Sequence, residues 1–566
     1  MEFIIYLSII FIALIIWGIL TERSQKKLLL KRLKDEWGKY PGEDYSQEKM
    51  KAIKALYLME KDDCPNVDDI TWNDFDMDEV FKQINNTQCS LGEEYLYALL
   101  RKPSFSQEEL DERNRLIEYF RTHEKERIMI QAKLYKVGKL NKISAFEYIN
   151  RLSEQEPQSN LPHYLMDLAI LASVILIFKI PSVGVGLTIF TIAWNIFMYF
   201  KYKGRIENYI AIIAFQLRLL DSVEDIMKVS IPELDMYLKS LSEDLKIFKK
   251  YKRGSSIVVA RNVTGNILEM FMDYYRMSFH HDLIKYNRMI SYFKKNKEAM
   301  NRIFKTVGFL DAMTAAASFR ETLDYFSIPE LIPEKERLML SVTDVYHPLI
   351  GEPVPNSITE DRCALITGSN ASGKSTFIKA LGINAILSQT IYTSLSRKYR
   401  ANYFHIYSSM ALKDNILNNE SYFIVEIKSL KRILDQADRD YPVLCFIDEV
   451  LRGTNTLERI AASSRILASF SAKNAMCFAA THDIELTYIL ENLYSNYHFR
   501  ERVEDGQVLF DYKLYKGRAV SRNAIKLLKL MGYSQKIITE AEKAADEYLN
   551  TGEWSIIERG ETCYLK

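Results

Sequence analysis

Apolar residues run without a charge from Phe3 to Leu20, recur from about Tyr164 to Phe200, and return as short unbroken blocks at "CALIT" (363–367), "VLCFID" (443–448) and "NAMCFAAT" (474–481). The two lengths predict different elements. At 1.5 Å per residue a run of about 20 crosses most of a hydrocarbon layer about 30 Å thick, whereas blocks of five to eight bounded by turn residues are the pattern of strands buried on both faces of a parallel sheet. Between Thr87 and Phe319, outside the second long run, the apolar positions keep a helical period and predict long helices.

Glu2 leads the first run and Trp17, Ile19 and Leu20 close it, where a cleaved signal would carry a basic leader and small residues; the run therefore predicts a transmembrane anchor over 1–20. Arg23, Lys26, Lys27, Lys31, Arg32 and Lys34 follow at once and mark the cytoplasmic side. The second run is broken by "KIPS" at 179–182 and followed by Lys201, Lys203 and Arg205, which predicts a transmembrane hairpin over 163–200 that returns the chain to the cytoplasm. Its first arm is short and holds Asp167, so a re-entrant pair and a buried soluble pair stay open beside it. The expected localisation is the cell membrane, with everything from 201 onward cytoplasmic.

Composition narrows the partners. With 75 Lys plus Arg against 74 Asp plus Glu among 566 residues, no global basic field exists to drive non-specific nucleic-acid binding, so DNA contact requires local patches. The six cysteines include no C-x-x-C pair, which points away from a metal knuckle or a disulfide framework.

Directly after "CALIT" comes Gly368-Ser369-Asn370-Ala371-Ser372-Gly373-Lys374-Ser375-Thr376, then a helical pattern. Strand, glycine-rich loop and helix in this order make a P-loop: backbone N–H groups and the helix start face the phosphates of ATP, Lys374 reaches the β and γ positions, and the Ser375 hydroxyl is a ligand for Mg²⁺. The block "VLCFID" ends in Asp448 and Glu449. Asp448 is placed to join the metal shell, and Glu449 to orient or deprotonate the attacking water. Thr481-His482 closes a third strand at the same sheet edge, with His482 directed to the γ-phosphate.

These motifs, with "FIVEIKSLKRILDQADRDYPVLCFIDEVLRGTNTLERIAAS" between them, resemble the ATPase domain of the MutS family of mismatch-repair proteins: Asn370 in the loop, Ser421 ahead of Phe423 to Glu426, Asp448 to Thr454, and Thr481-His482 stand in that family's order. The resemblance implies an α/β P-loop (ABC-type) ATPase domain following a mainly α-helical core, here with transmembrane helices. It implies a homodimer in which each ATP lies between the P-loop of one subunit and Ser421 of the other. It also implies that Val354 and Pro355, after "VYHPLIGE", lie against the adenine. "TQCSLGEEYLYALLRKPSF" and "VGFLDAMTAAASF" are similar to the entry and exit of the family's helical core, and 512–543 to its dimer-packing helices. The expected domains are a transmembrane anchor (1–20), the first part of the helical core (21–162), the transmembrane hairpin (163–200), the second part with the levers (201–335), the ATPase domain with its C-terminal dimer helices (336–545) and a tail (546–566).

The stretch between the anchor and Thr87 is too short for the family's mismatch-recognition domain, Phe319-Arg320-Glu321 lies in the wrong region for its Phe-x-Glu wedge, and no nuclease domain is expected before the end at Lys566. The basic tracts 246–253 and 292–305 read equally as DNA phosphate contacts, solvated faces or membrane-surface contacts. The expectation is an ATP-hydrolysing switch acting on DNA at the membrane, without direct mismatch readout. A membrane-remodelling or transporter-like ATPase with no nucleic-acid partner is the alternative.

Overall fold

The structure is a computed structural model, which describes residues 17, 20–21, 23–61, 66–140, 142–156, 158–229, 231–255, 274–333, 337–369, 371–410, 422–437, 440–452, 454–504, 507–519, 525, 528 and 532–556. The anchor expected over 1–20 falls, but for residues 17 and 20, outside these, as do Asn370 and Ser421. The chain divides into two compact units: Met1–Asn66, Met77–Asp324 and Leu387–Thr393 form the first, and Val67–Asp76, Tyr325–Ile386 and Ser394–Lys566 the second.

The described part of the first unit is helical. Its long central helix, Lys297–Thr322, buries most of its residues and packs against Ser90–Arg101 and Gln107–Thr122. The approach to Ser90–Arg101 is backbone-close, since a Cβ on Gly308 would meet the Leu91 carbonyl oxygen at 2.7 Å. One buried carboxylate ties the two together: Asp311 accepts from the backbone N–H of Gln88 and Cys89, at 2.9 and 3.0 Å, and so satisfies donors that the start of Ser90–Arg101 would leave orphaned. At the other end Arg320 is buried and donates to Thr393 Oγ1 (2.9 Å), Asn114 Oδ1 (2.8 Å) and Glu118 Oε1 (2.6 Å).

The second apolar run forms two packed helices, Leu161–Ile177 and Pro181–Met227, joined at the Lys179-Ile180 turn with Pro181 opening the second. The second helix does not stop at Phe200 but continues for several turns beyond it. Among the described residues only Pro181–Gly204 is long and apolar enough to cross a membrane, so the described residues supply one candidate where three crossings are expected. Leu161–Ile177 is apolar but shorter, and its 17 residues reach about 25 Å at 1.5 Å each. Large apolar side chains face outward from this pair (Phe178, Ile189, Phe190 and Phe197 are all more than 60% exposed), while small and hydroxyl residues face inward. A Cβ on Gly184 would meet the backbone of Ile177 at 2.4 Å, and Thr188 Oγ1 donates to Ser173 Oγ at 3.1 Å.

The second unit holds two sheets. The larger has strand order β10-β9-β4-β8-β7-β6, built from β4 (Cys363–Thr367), β6 (His405–Ser409), β7 (Val443–Asp448), β8 (Ala475–Thr481), β9 (Tyr494–Glu504) and β10 (Gln507–Lys516); all its pairs are parallel except β10 with β9. The three apolar blocks are its central strands, buried throughout except at Asp448. A smaller sheet, ordered β1-β5-β2-β3, consists of β1 (Glu330–Ile332), β2 (Leu340–Val345), β3 (Asn356–Glu360) and β5 (Lys398–Asn402). The short segment Val67–Asp76, far upstream in sequence, packs in this unit: Thr71 Oγ1 accepts from the Ser408 N–H, and Asp74 accepts from the Ser408 hydroxyl and the Met410 N–H.

Candidate nucleotide site

Strand register brings the predicted residues together. Thr367 pairs with Thr481 and Asp448 with Ala480, so the loop after β4, the acid pair after β7 and His482 after β8 all leave the carboxyl edge of one sheet, the edge where ligands of parallel α/β sheets bind. The loop needs its glycines. Gly373 has φ +108° with Tyr512 and Phe499 closing over it, a conformation L side chains rarely adopt. Helix Lys374–Thr390 then starts with its free N–H groups at the loop.

Lys374 is buried and is held by the loop itself, donating to the carbonyls of Gly368 and Ser369 at 2.8 Å each. Burial pushes its ammonium down to about 8, aided by the nearby Arg452 and opposed by Asp448 and Glu501. His482 Nε2 lies 3.3 Å from Lys374 Nζ and 3.1 Å from Glu449 Oε1. A neutral imidazole nitrogen either accepts from the lysine or donates to the carboxylate, so the tautomer chooses the partner. Burial, with Lys374 and Arg452 beside it, holds the His482 imidazole below its usual range and keeps that choice open.

Glu449 also accepts from Arg452, which occupies its second oxygen. The turn carrying it is unusual: Glu449 and Leu451 have φ of +60° and +61°, which costs on the order of 1–3 kcal/mol per residue unless the surroundings enforce it. Glu426, on helix Tyr422–Leu434, does so by accepting from the Leu451 N–H, and burial raises its carboxyl. Downstream, Arg459 grips Asp483 with two hydrogen bonds (2.9 and 2.6 Å), steadying the residue after His482.

The residues present fit a magnesium-bound triphosphate. Asp448 Oδ1 is buried with no hydrogen-bond partner, as is Ser372 Oγ in the loop; an unpartnered carboxyl oxygen at a sheet edge suits a cation. Ser375 is in the first turn of the adjacent helix. Beside the loop lies a cavity of about 360 Å³ lined by Val345, His347, Val354, Thr376, Phe377, Phe499 and Tyr512, among others. Val354 is in this wall, joined there by Pro353; Pro355 is not in the lining, and its carbonyl accepts from Lys513. Arg452, Glu501, Phe499 and Tyr512 carry no role in the sequence reading. Glu501 accepts from the loop hydroxyl of Ser369, and it and the two aromatics come from β9 and β10, whose approach to the loop no local pattern announces. Phe319 is buried, unlike a wedge that must reach a base.

A parallel sheet with this loop and this acid pair defines a P-loop nucleotide-binding unit. The family model of MutS domain V matches residues 364–549, so this part of the chain is similar to that domain. The chain is 28% identical over 261 residues to the DNA mismatch repair protein MutS of Lactobacillus johnsonii, covering 44% of this chain and 30% of that one. It is 25% identical over 327 residues to MutS of Petrotoga mobilis (55% and 39%) and 24% identical over 300 residues to the DNA mismatch repair protein MSH3 of Debaryomyces hansenii (48% and 29%). The chain thus spans well under half the length of these relatives.

Proposed function

We propose that the protein is an ATP-hydrolysing switch of the MutS type, held at a membrane and working as a homodimer on DNA. The convergence of Lys374, the unpartnered Asp448 Oδ1 and the Glu449–His482 pair at one sheet edge carries this reading. Ser375 and Asp448 would hold Mg²⁺, which when bound neutralises phosphate charge. Lys374 leaves the loop carbonyls for the phosphates. Glu449 serves as base toward water once it is released from Arg452, and His482 changes partner between Lys374 and Glu449 as charge enters the loop. Val354 and its neighbours give the base an aliphatic and aromatic wall. In this reading Ser421 of each copy meets the other's ATP, as the resemblance to the family implies.

For DNA, ion pairing separates the basic tracts. Lys252 is engaged by Asp221 and Glu224, Arg302 by Asp244 and Lys305 by Glu60, whereas Lys246, Lys249, Lys250, Lys294 and Lys295 are exposed. These side chains suit sequence-independent phosphate contacts. For the membrane, the hairpin's outward Phe and Ile and its inward Gly184, Thr188 and Ser173 match helices packed in lipid, where small residues let backbones approach. The same exposed hairpin favours the second reading, membrane remodelling without nucleic acid. ATPase activity of the full chain in lipid nanodiscs separates the two. Stimulation by duplex DNA that fades as salt rises supports the switch; indifference to DNA with dependence on lipid supports remodelling.

A further inference from the structure

An open groove of about 870 Å³ lies in the helical unit between the helix over 23–35 and helix Glu124–Val137. Its floor is apolar, formed by Leu28, Leu30, Ile128 and Met129, and its rim is cationic, formed by Lys27, Lys31, Lys34 and Lys125. Lys34 is neutralised by Glu124 at 2.9 Å. No acidic partner is recorded for Lys27, Lys31 or Lys125 among the described residues. Lys27 and Lys31 are one helical turn apart, so they stand on the same face with Leu28 beside them, and Leu28 is 70% exposed.

An apolar trough edged by unpaired lysines fits one chemistry: a phosphate-bearing head with a hydrocarbon tail. A nucleic-acid backbone or a free phosphate would use the lysines and leave the floor uncovered, and an apolar partner helix would leave three cations without counter-charge. The groove also follows directly on the apolar run that ends at Leu20. We infer that this groove binds the headgroup and upper acyl chain of an anionic phospholipid. The inference rests on the membrane reading above and adds to it a specific lipid site with named ligands.

The test uses the full chain purified in neutral detergent, with lipid retention read by native mass spectrometry against phosphatidylglycerol and phosphatidylcholine. Near an anionic surface each lysine contributes about fivefold, so Lys27→Gln/Lys31→Gln/Lys125→Gln lowers phosphatidylglycerol retention at least tenfold while leaving phosphatidylcholine unchanged. Met129→Asp, which spoils only the floor, lowers it too, and this distinguishes a lipid from inorganic phosphate or a short DNA duplex as the true ligand. Equal retention of the two lipids, unaltered retention in the triple variant, or displacement by inorganic phosphate at equal concentration overturns the site. A wild-type chain that is monodisperse without detergent would instead remove the membrane reading.

Discussion

Phe75 sits in the upstream segment that joins the nucleotide unit, fully buried, with its ring edge-on to Phe446 at 5.7 Å and over Gly382 of the P-loop helix. A Cβ built on Gly382 would lie 2.2 Å from the ring, so the glycine exists to admit it. Phe75→Ala removes a fully packed aromatic and should cost about 3–5 kcal/mol. Gly382→Ala drives a methyl into the ring at about 1–3 kcal/mol, offset by up to about 1 kcal/mol of helix preference. Together the two changes interact: with the ring gone the methyl enters vacated space, and the double variant should be more stable than Phe75→Ala alone, giving a coupling of about 1–3 kcal/mol. Hydrogen-exchange mass spectrometry reads this locally. A loss of 3 kcal/mol speeds exchange in peptides covering β4 and β7 by about two decades. Strictly additive single effects, or protection lost in helix Lys297–Thr322 and not in the sheet, would refute the assignment of Val67–Asp76 to this unit.

Lys374→Ala should abolish tight ATP binding in equilibrium dialysis. In the unsubstituted protein, burial lowers the Lys374 ammonium to about 8, and a bound triphosphate raises it again, so binding takes up a proton above pH 8. Affinity then falls as pH climbs from 8 toward 10, by up to about tenfold per unit, and calorimetry in two buffers of different ionisation heat reads the uptake. Glu449→Gln should cut turnover by about 10²–10⁴ while ATP remains bound, and cross-linking should find the dimer held closed; normal turnover counts against the base assignment. Glu426→Ala leaves the strained turn unheld, and is expected to lower kcat at least tenfold with little change in ATP affinity.

How much of this was written in the chain depends on the distance over which each feature acts. The P-loop, the acid pair and Thr481-His482 are local patterns, and the unbroken apolar blocks announced the central strands because a strand covered on both faces has no polar side to show. Sequence order alone put the three motifs at one sheet edge, since parallel strands present their carboxyl ends together. What only the tertiary structure decided is long-range: that Val67–Asp76 belongs with the nucleotide unit, that Glu426 holds the turn after Glu449, that Phe499 and Tyr512 wall the cavity and that Arg452 and His482 share the Glu449 carboxylate. The second apolar run shows the same division. Its hydrophobicity was plain, but the lengths of its two arms and the inward turn of Gly184 and Thr188 come from packing, because helices that meet choose their contact faces by shape and not by composition.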